Sequence, residues 1–570
     1  MLEPISTVLA TTHHAPIIEI GSNIAGHLAD MARRQPSRPA VICAQGRDAT
    51  GAVAYAQLSF RELEEESSRL ARGLDSAGIR RGVRTALMVP PGLDFFALSF
   101  ALFKSGAVPV LIDPGIGIRN LDACLAHAQP EAFIGVPRAH AARALLGWAR
   151  DSLRVNVTVG ARWFWGGHTL KELRDRVPAG QPFDAIEPAS GETAAILFTS
   201  GSTGAPKGAV YTHEIFGAQV AHIRRLYGIE PGELDLATFP LFALFGPALG
   251  MTAVIPEMDP SRPAKVDPMN IVGAIEQFGV TNMFGSPALI DRVGRHGEVH
   301  GIKLPTLRRV ISAGAPVPAS VLARFAAMLR PGAEVFTPYG ATECLPVASI
   351  GSDEVLGETR RSTEQGAGVC IGRPVPGLTA KVIRITDEPI AQWDNELELP
   401  AGEIGEIAVK AAHATRSYFN LPAATALAKI HDPADGGFYH RMGDVGYFDE
   451  RGRLWFCGRK THRVVTAQGT RFTIPCEGVF NRNPRVFRSA LVGVRRNGAM
   501  EPVLCVELES GAGGVSKDII RAELRELGSQ NECTRQIQTI LFHPAFPVDV
   551  RHNAKIFRDQ LAVWASRQLQ

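Results

Sequence analysis

Thr199–Gly208 reads TSGSTGAPKG and follows the apolar run AAILF. A strand feeding such a loop presents backbone N–H groups and small hydroxyls to an anion, and glycine lets the backbone approach closely. Lys207 adds a mobile positive charge. The next stretch, HEIFGAQVAHIRRLYG, reads as a helix with its N-terminus near the loop, a second attraction for an anion. The pattern is that of a phosphate cradle. It is not the nucleotide loop written G-x-x-x-x-G-K-[ST], because Pro206 precedes Lys207 and Gly208 follows it. A flexible Gly/Ser surface turn is the alternative. Thr-Ser-Gly-Ser-Thr-Gly with Pro-Lys-Gly behind it is too particular for a linker.

Outward from this loop the chain alternates helix and strand. FRELEEESSRLARGLDSAG is an amphipathic helix, and VRTALMVP, AVPVLI, TAVI, VTNMF, RRVIS and EVFTPYG are short apolar strands, each followed by a turn or helix. That alternation predicts an α/β fold of βαβ units around mainly parallel sheet. From about Gly366 to Phe456 the texture changes to short strands with many glycines and prolines, which predicts a small antiparallel or barrel subdomain. After CGRKTH comes a compact α+β unit of strands and the helix KDIIRAELRELGS. The expected division is 1–459 for a large unit and 460–570 for a small one, since 570 residues exceed one core.

Composition excludes several classes. The net charge of +3 is near neutral for this length, so no extended nucleic-acid surface is expected. FFALSFALFKSGAVPVLI is interrupted by Lys104, Ser105 and Gly106 and reads as helix, turn and strand rather than a membrane span. The first residues, MLEPISTVLATTHHAP, carry Glu3 and Pro4 where a signal peptide needs basic residues. His13 and His14 have no third ligand at metal spacing. Eight scattered cysteines form no C-x-x-C pair and read as reduced packing residues, so a cytoplasmic protein is expected.

Four further blocks carry chemistry. RRVISAGAPVP ends a strand at Gly314, Ala315 and Pro316. FTPYGATE spans Phe336–Glu343. YHRMGDVGYFDERGRLWFCGRK places Asp444 between glycines and Arg459 after Gly458. PVDVRHNAKIFRDQL carries Lys555 near the C-terminus, with Arg558 three residues on.

These motifs, in this order, resemble the adenylate-forming superfamily of acyl-CoA synthetases, luciferases and peptide-synthetase adenylation domains, over nearly the whole chain from about Ala40. The resemblance implies a large N-terminal domain hinged to a small mobile one, with ATP and a carboxylate bound between them. It implies that Thr199, Ser200, Gly201, Ser202, Thr203, Gly204 and Lys207 cradle the triphosphate, and that Gly314, Ala315 and Pro316 lie against adenine. Tyr339 offers that base an aromatic face, and Gly340 keeps the backbone low beside the acyl chain. Thr342 can donate to a phosphate, and Glu343 is a hard oxygen ligand suited to Mg²⁺, which screens an α-phosphate under attack by a carboxylate. Asp444 sits in a turn exposing its carboxylate to the ribose diol, with Arg459 reaching ribose or phosphate. Lys555 draws carboxylate and α-phosphate together. The catalytic set is thus Lys555, Glu343 and Lys207.

The departures narrow the reading. Family members have Gly-Lys where this chain has Ala554-Lys555. In FPLFALFGPALG, Ala243 stands where many acyl-CoA synthetases carry a His, leaving a hydrophobic wall of Phe242, Leu244 and Phe245 suited to an alkyl chain. No Asp stands out to pair with a substrate ammonium. Thr461 replaces the usual hinge Asp or Lys, and the segment before Pro475 and Glu477 is longer than in thioester-forming relatives. FPLFALFGPALGMTAVIPEMDPSRPAKVDP with TPYGATECLPVASI resembles the lactone-forming branch, the β-lactone synthetases of bacterial long-chain olefin biosynthesis. This implies adenylation of a long-chain 2-alkyl-3-hydroxy fatty acid, ring closure by its own hydroxyl, and a complex with other enzymes of that pathway. The rivals are a long-chain acyl-CoA synthetase or acyl-AMP ligase, and a non-catalytic sensor that kept the fold.

Overall fold

A computed structural model describes residues 23–113, 116–198, 206–496, 498–509, 511, 514–548 and 555–570. Thr199, Ser200, Gly201, Ser202, Thr203 and Gly204, together with His13, His14 and Ala554, lie outside the described residues.

The helix Phe60–Ser76 starts where Ser59 accepts from the Glu62 N–H and the Glu62 carboxylate returns to the Ser59 N–H. Such a reciprocal cap satisfies two otherwise orphaned donors. Its apolar face, including Phe60, Leu63, Leu70 and Leu74, is fully buried. The next helix, Leu93–Ser105, is buried nearly all round and stops at Gly106, whose φ of 66° is left-handed. Burial on every side is why it reads as a long apolar run without crossing a membrane. No helix among the described residues is long and apolar enough to cross one.

Two sheets carry the α/β part. One has seven strands, in the order His168–Thr169, Val155–Thr158, Ala132–Gly135, Arg84–Met88, Val108–Ile112, Thr193–Phe198, Gly208–Thr212. All its pairings are parallel except the last. The second has nine strands, with a parallel centre through Thr252–Ile255, Leu234–Ala237, Asn282–Phe284, Arg309–Ile311 and Glu334–Ala341 and antiparallel strands at both ends. The main apolar core lies between the sheets, around Phe96, Phe100, Leu102 and Leu197.

The glycine- and proline-rich region forms a six-stranded antiparallel sheet whose pairings follow an open path rather than a closed ring. Beyond it lie a hairpin (Val464–Thr466 with Gly469–Arg471), a three-stranded sheet and the helices Thr473–Phe480, Lys517–Ser529 and Arg558–Gln568. All eight cysteines are thiols, seven of them buried.

One expectation about the loop is corrected. The helix after it is present, His213–Tyr227 capped by the Thr212 hydroxyl. The strand Gly208–Thr212 intervenes and runs antiparallel to Thr193–Phe198, pairing Phe198 with Gly208 at one end and Thr193 with Thr212 at the other. The helix N-terminus therefore sits at the end of this hairpin opposite Phe198 and Gly208, and its dipole fades within one turn.

Candidate active site

A single cavity of about 460 Å³ gathers residues from nearly every block the sequence singles out: Gly314–Pro316, Tyr339–Glu343, Asp444, Arg459, Phe242, Phe245 and Lys555. It has a polar end and an apolar end.

At the polar end the Tyr339 hydroxyl donates to Asp444 Oδ2 at 2.7 Å, and an Arg459 nitrogen lies 3.0 Å from Asp444 Oδ1. Asp444 is not in an exposed turn, as its flanking glycines suggest. It lies within the strand Phe438–Phe448, opposite Arg459 on Leu454–Arg459, and is 5% exposed. Gly443, with φ 67°, supplies the local kink that a turn would have used. Burial raises the Asp444 carboxyl, opposed by Arg459 and by the Tyr339 hydrogen bond, while Asp444 holds the Arg459 guanidinium charged. Tyr339, Asp444 and Arg459 thus form a fixed cluster on the cavity wall. Gly340 sits where a Cβ would come within 2.6 Å of the Cys344 carbonyl, so only glycine fits. Gly314, φ 102°, makes the turn after Arg309–Ile311, and next to it the buried Ser312 hydroxyl has no hydrogen-bond partner among the described residues.

Glu343 is held by a residue the sequence reading missed: the Tyr418 hydroxyl donates to its Oε1 at 2.6 Å. Lys207 Nζ stands 5.1 Å from the Tyr418 ring centroid, so Lys207 and Glu343 are brought together through one tyrosine. Among the described residues no group of three or more His, Cys, Asp or Glu side chains is placed to hold a metal by itself. A cation at Glu343 would have to draw its other ligands from phosphate oxygens and water, which is how Mg²⁺ is ordinarily bound. Thr342 presents its carbonyl to the Tyr211 hydroxyl at 2.5 Å, which fixes the turn.

At the apolar end Phe242 packs 4.5 Å from Phe284 and 5.1 Å from Phe239, ring to ring, and Phe245 lies beside it. Phe100, Phe103, Phe216, Val220 and Leu244 complete this wall. Ala243 does not line it. It is fully buried in the core, on the opposite side of the short helix Pro240–Ala243 from the cavity. Successive helical residues point about 100° apart, so one position in this run had to turn inward. Each methylene sequestered on such a surface contributes about 0.8 kcal/mol, so a long chain gains where a polar amino acid would lose.

Lys555 enters from the C-terminal unit, flanked by Ile556 and Arg558 on the cavity wall. Arg558 is committed elsewhere, to a bidentate pair with buried Glu477 at 2.5 and 2.9 Å. Lys460 is committed too. It donates to Glu406 at 3.1 Å and to the Thr386 carbonyl at 2.8 Å, in a network shared with Arg441. His462, just beyond, also faces the cavity; burial, with Arg558 and Arg459 near, lowers it to about 3 and keeps its imidazole neutral.

Comparison with known proteins agrees with this geometry. The profile of the AMP-binding enzyme family matches residues 28–419. The olefin beta-lactone synthetase of Xanthomonas campestris pv. campestris is 50% identical over 550 residues, 96% of this chain and 98% of that protein. Its namesake from Stenotrophomonas maltophilia is 52% identical over 553 residues, 96% and 99% of the two chains. Among solved structures, the amide bond synthetase McbA from Marinactinospora thermotolerans superimposes with a TM-score of 0.78 at 24% identity, over 95% of this chain and 99% of that one, a likeness of fold.

Proposed function

The chain belongs to the AMP-binding enzyme family, and from that premise we propose how its cavity works. It is an ATP-dependent enzyme that adenylates a fatty-acid-type acid and closes the acyl-adenylate to a β-lactone, releasing pyrophosphate and AMP. The observation that carries this reading is the near-full-length identity of 50% and 52% to two olefin beta-lactone synthetases. The finer assignments are ours: a long-chain 2-alkyl-3-hydroxy acid as substrate, Mg²⁺ as the metal, a cytoplasmic setting in long-chain olefin formation, and a complex with neighbouring enzymes of that route. We place the hinge between Arg459 and Lys460. The strand Leu454–Arg459, the last of the antiparallel sheet, ends at that point, which supports it.

Tyr339 and the Gly314–Pro316 turn take the base, Asp444 and Arg459 the ribose, and Lys207 with the loop Thr199–Gly204 the phosphates. Glu343 would hold Mg²⁺, whose charge neutralises the phosphates as the carboxylate approaches. The apolar wall orients the alkyl chains and keeps water from the activated acyl group. Lys555 lies where carboxylate and α-phosphate meet. In the second step the substrate's 3-hydroxyl oxygen bonds to the acyl carbon and the acyl–phosphate C–O bond breaks. AMP departs with that electron pair, and the hydroxyl proton is lost to solvent. A nucleophile held in the same molecule is delivered to the acyl carbon without a second binding event, so no thiol is required.

The test is product mass. With ATP, Mg²⁺ and a 2-alkyl-3-hydroxy long-chain acid, we expect AMP, pyrophosphate and a β-lactone without CoA. An acid lacking the 3-hydroxyl stalls as its adenylate. A CoA thioester as main product, or turnover that requires CoA, replaces this reading with that of an acyl-CoA synthetase. Lys207→Ala removes one charge from a cradle of many donors, so nucleotide affinity should fall roughly tenfold, about 1.4 kcal/mol, with chemistry retained. Unchanged affinity by nucleotide titration of the folded variant would take Lys207 out of the cradle.

A further inference from the structure

Most of the acyl half of the cavity is hydrocarbon, and Gln219 is an exception. It sits on His213–Tyr227, lines the cavity and is 3% exposed. Its Nε2 donates to the Leu345 carbonyl at 3.0 Å, which fixes the orientation of the amide. Its Oε1 is buried and has no hydrogen-bond partner among the described residues. An unpaired amide oxygen among phenylalanines and leucines is costly unless something fills it.

Its position says what that could be. Leu345 follows the turn that carries Thr342 and Glu343, and Tyr211, whose hydroxyl holds the Thr342 carbonyl, lines the cavity as well. Gln219 thus stands at the junction of the polar and apolar ends. An acid whose carboxylate is activated at the polar end has its third carbon at that junction. We propose that Gln219 is a specificity-determining residue whose Oε1 accepts a hydrogen bond from the 3-hydroxyl of the substrate. The bond selects hydroxy acids at the adenylation step and aims the hydroxyl oxygen for ring closure. Gln219 takes no proton. The proposal rests on the functional reading above but is read out separately, through adenylation rather than lactone.

A site built around a hydroxyl rejects the analogue that lacks it, because the protein's own polar atom is then left unpaired. Pyrophosphate release in the first turnover is measured for two acids that differ only in the 3-hydroxyl, with the wild-type chain and with Gln219→Leu and Gln219→Met. The wild type is expected to favour the hydroxy acid in the second-order rate constant of that first turnover by about tenfold to a hundredfold, mainly through weaker binding of the analogue. Both variants should bring that ratio close to one. Gln219→Glu, which as a buried neutral acid can donate to Leu345 and still accept, should keep it. A merely structural role would shift both acids together and leave the ratio alone. A wild type indifferent to the hydroxyl, or a folded Leu or Met variant that keeps the preference, overturns the proposal. Lactone mass from the wild type decides the functional reading independently.

Discussion

Lys555→Ala should lower acyl-adenylate formation roughly 10²–10³-fold, the usual consequence of deleting one preorganised donor from a developing charge, while nucleotide binding hardly changes. The nucleotide contacts proposed here come almost wholly from residues before Lys460, so the small unit contributes reach rather than affinity. The loss should not be made good by a neighbour. Arg558 is locked on Glu477, and freeing it would leave a buried carboxylate unpaired. Lys460 is held by Glu406 and the Thr386 carbonyl. Pyrophosphate exchange together with a nucleotide titration separates the two effects. Equal turnover in Lys555→Ala would transfer the role to another cation, with Arg551 the first to substitute.

The parts of this site that the sequence reveals are those whose chemistry is local. The Tyr339–Glu343 segment, the Gly314 turn and Lys555 are readable because each is marked by particular residue types at fixed short spacing, and one cavity gathers them. What the sequence hides depends on pairing between distant segments. Gly-Asp-x-Gly around Asp444 has the composition of a turn, yet the cross-strand partner Arg459 and the kink at Gly443 keep it in the sheet. The helix His213–Tyr227 was legible, but the hairpin that carries its N-terminus away from the loop is set by register with Thr193–Phe198. Tyr418 and Gln219 stand 75 and 126 residues from the groups they hold, and nothing adjacent to either marks it. Ala243 shows the opposite error. The position where many acyl-CoA synthetases carry a His faces the core here, and its neighbours Phe242 and Leu244 form the wall.

Glu343→Gln should keep the fold and lose most adenylation, by roughly 10²-fold or more at ordinary Mg²⁺, because a neutral amide is a poor partner for a hard dication. The fold survives because the Tyr418 hydroxyl, which donates to Oε1 at 2.6 Å, can donate equally to an amide oxygen, and the Thr415 N–H still meets the Glu343 backbone carbonyl at 2.8 Å. The charge has a second consumer. Lys429, buried behind this turn and hydrogen-bonded to the Thr415 carbonyl and to His440 Nδ1, is lowered to about 7 by burial even with Glu343 pulling it up. Removing that carboxylate should lower Lys429 further, so the variant is expected to carry a neutral amine there at neutral pH. The two effects separate by titration. If Glu343 serves the cation, raising Mg²⁺ recovers part of the lost rate at fixed pH. If its main service is to keep Lys429 charged, lowering the pH recovers it and Mg²⁺ does not. Full adenylation by Glu343→Gln at ordinary Mg²⁺ and neutral pH would remove the residue from the site altogether.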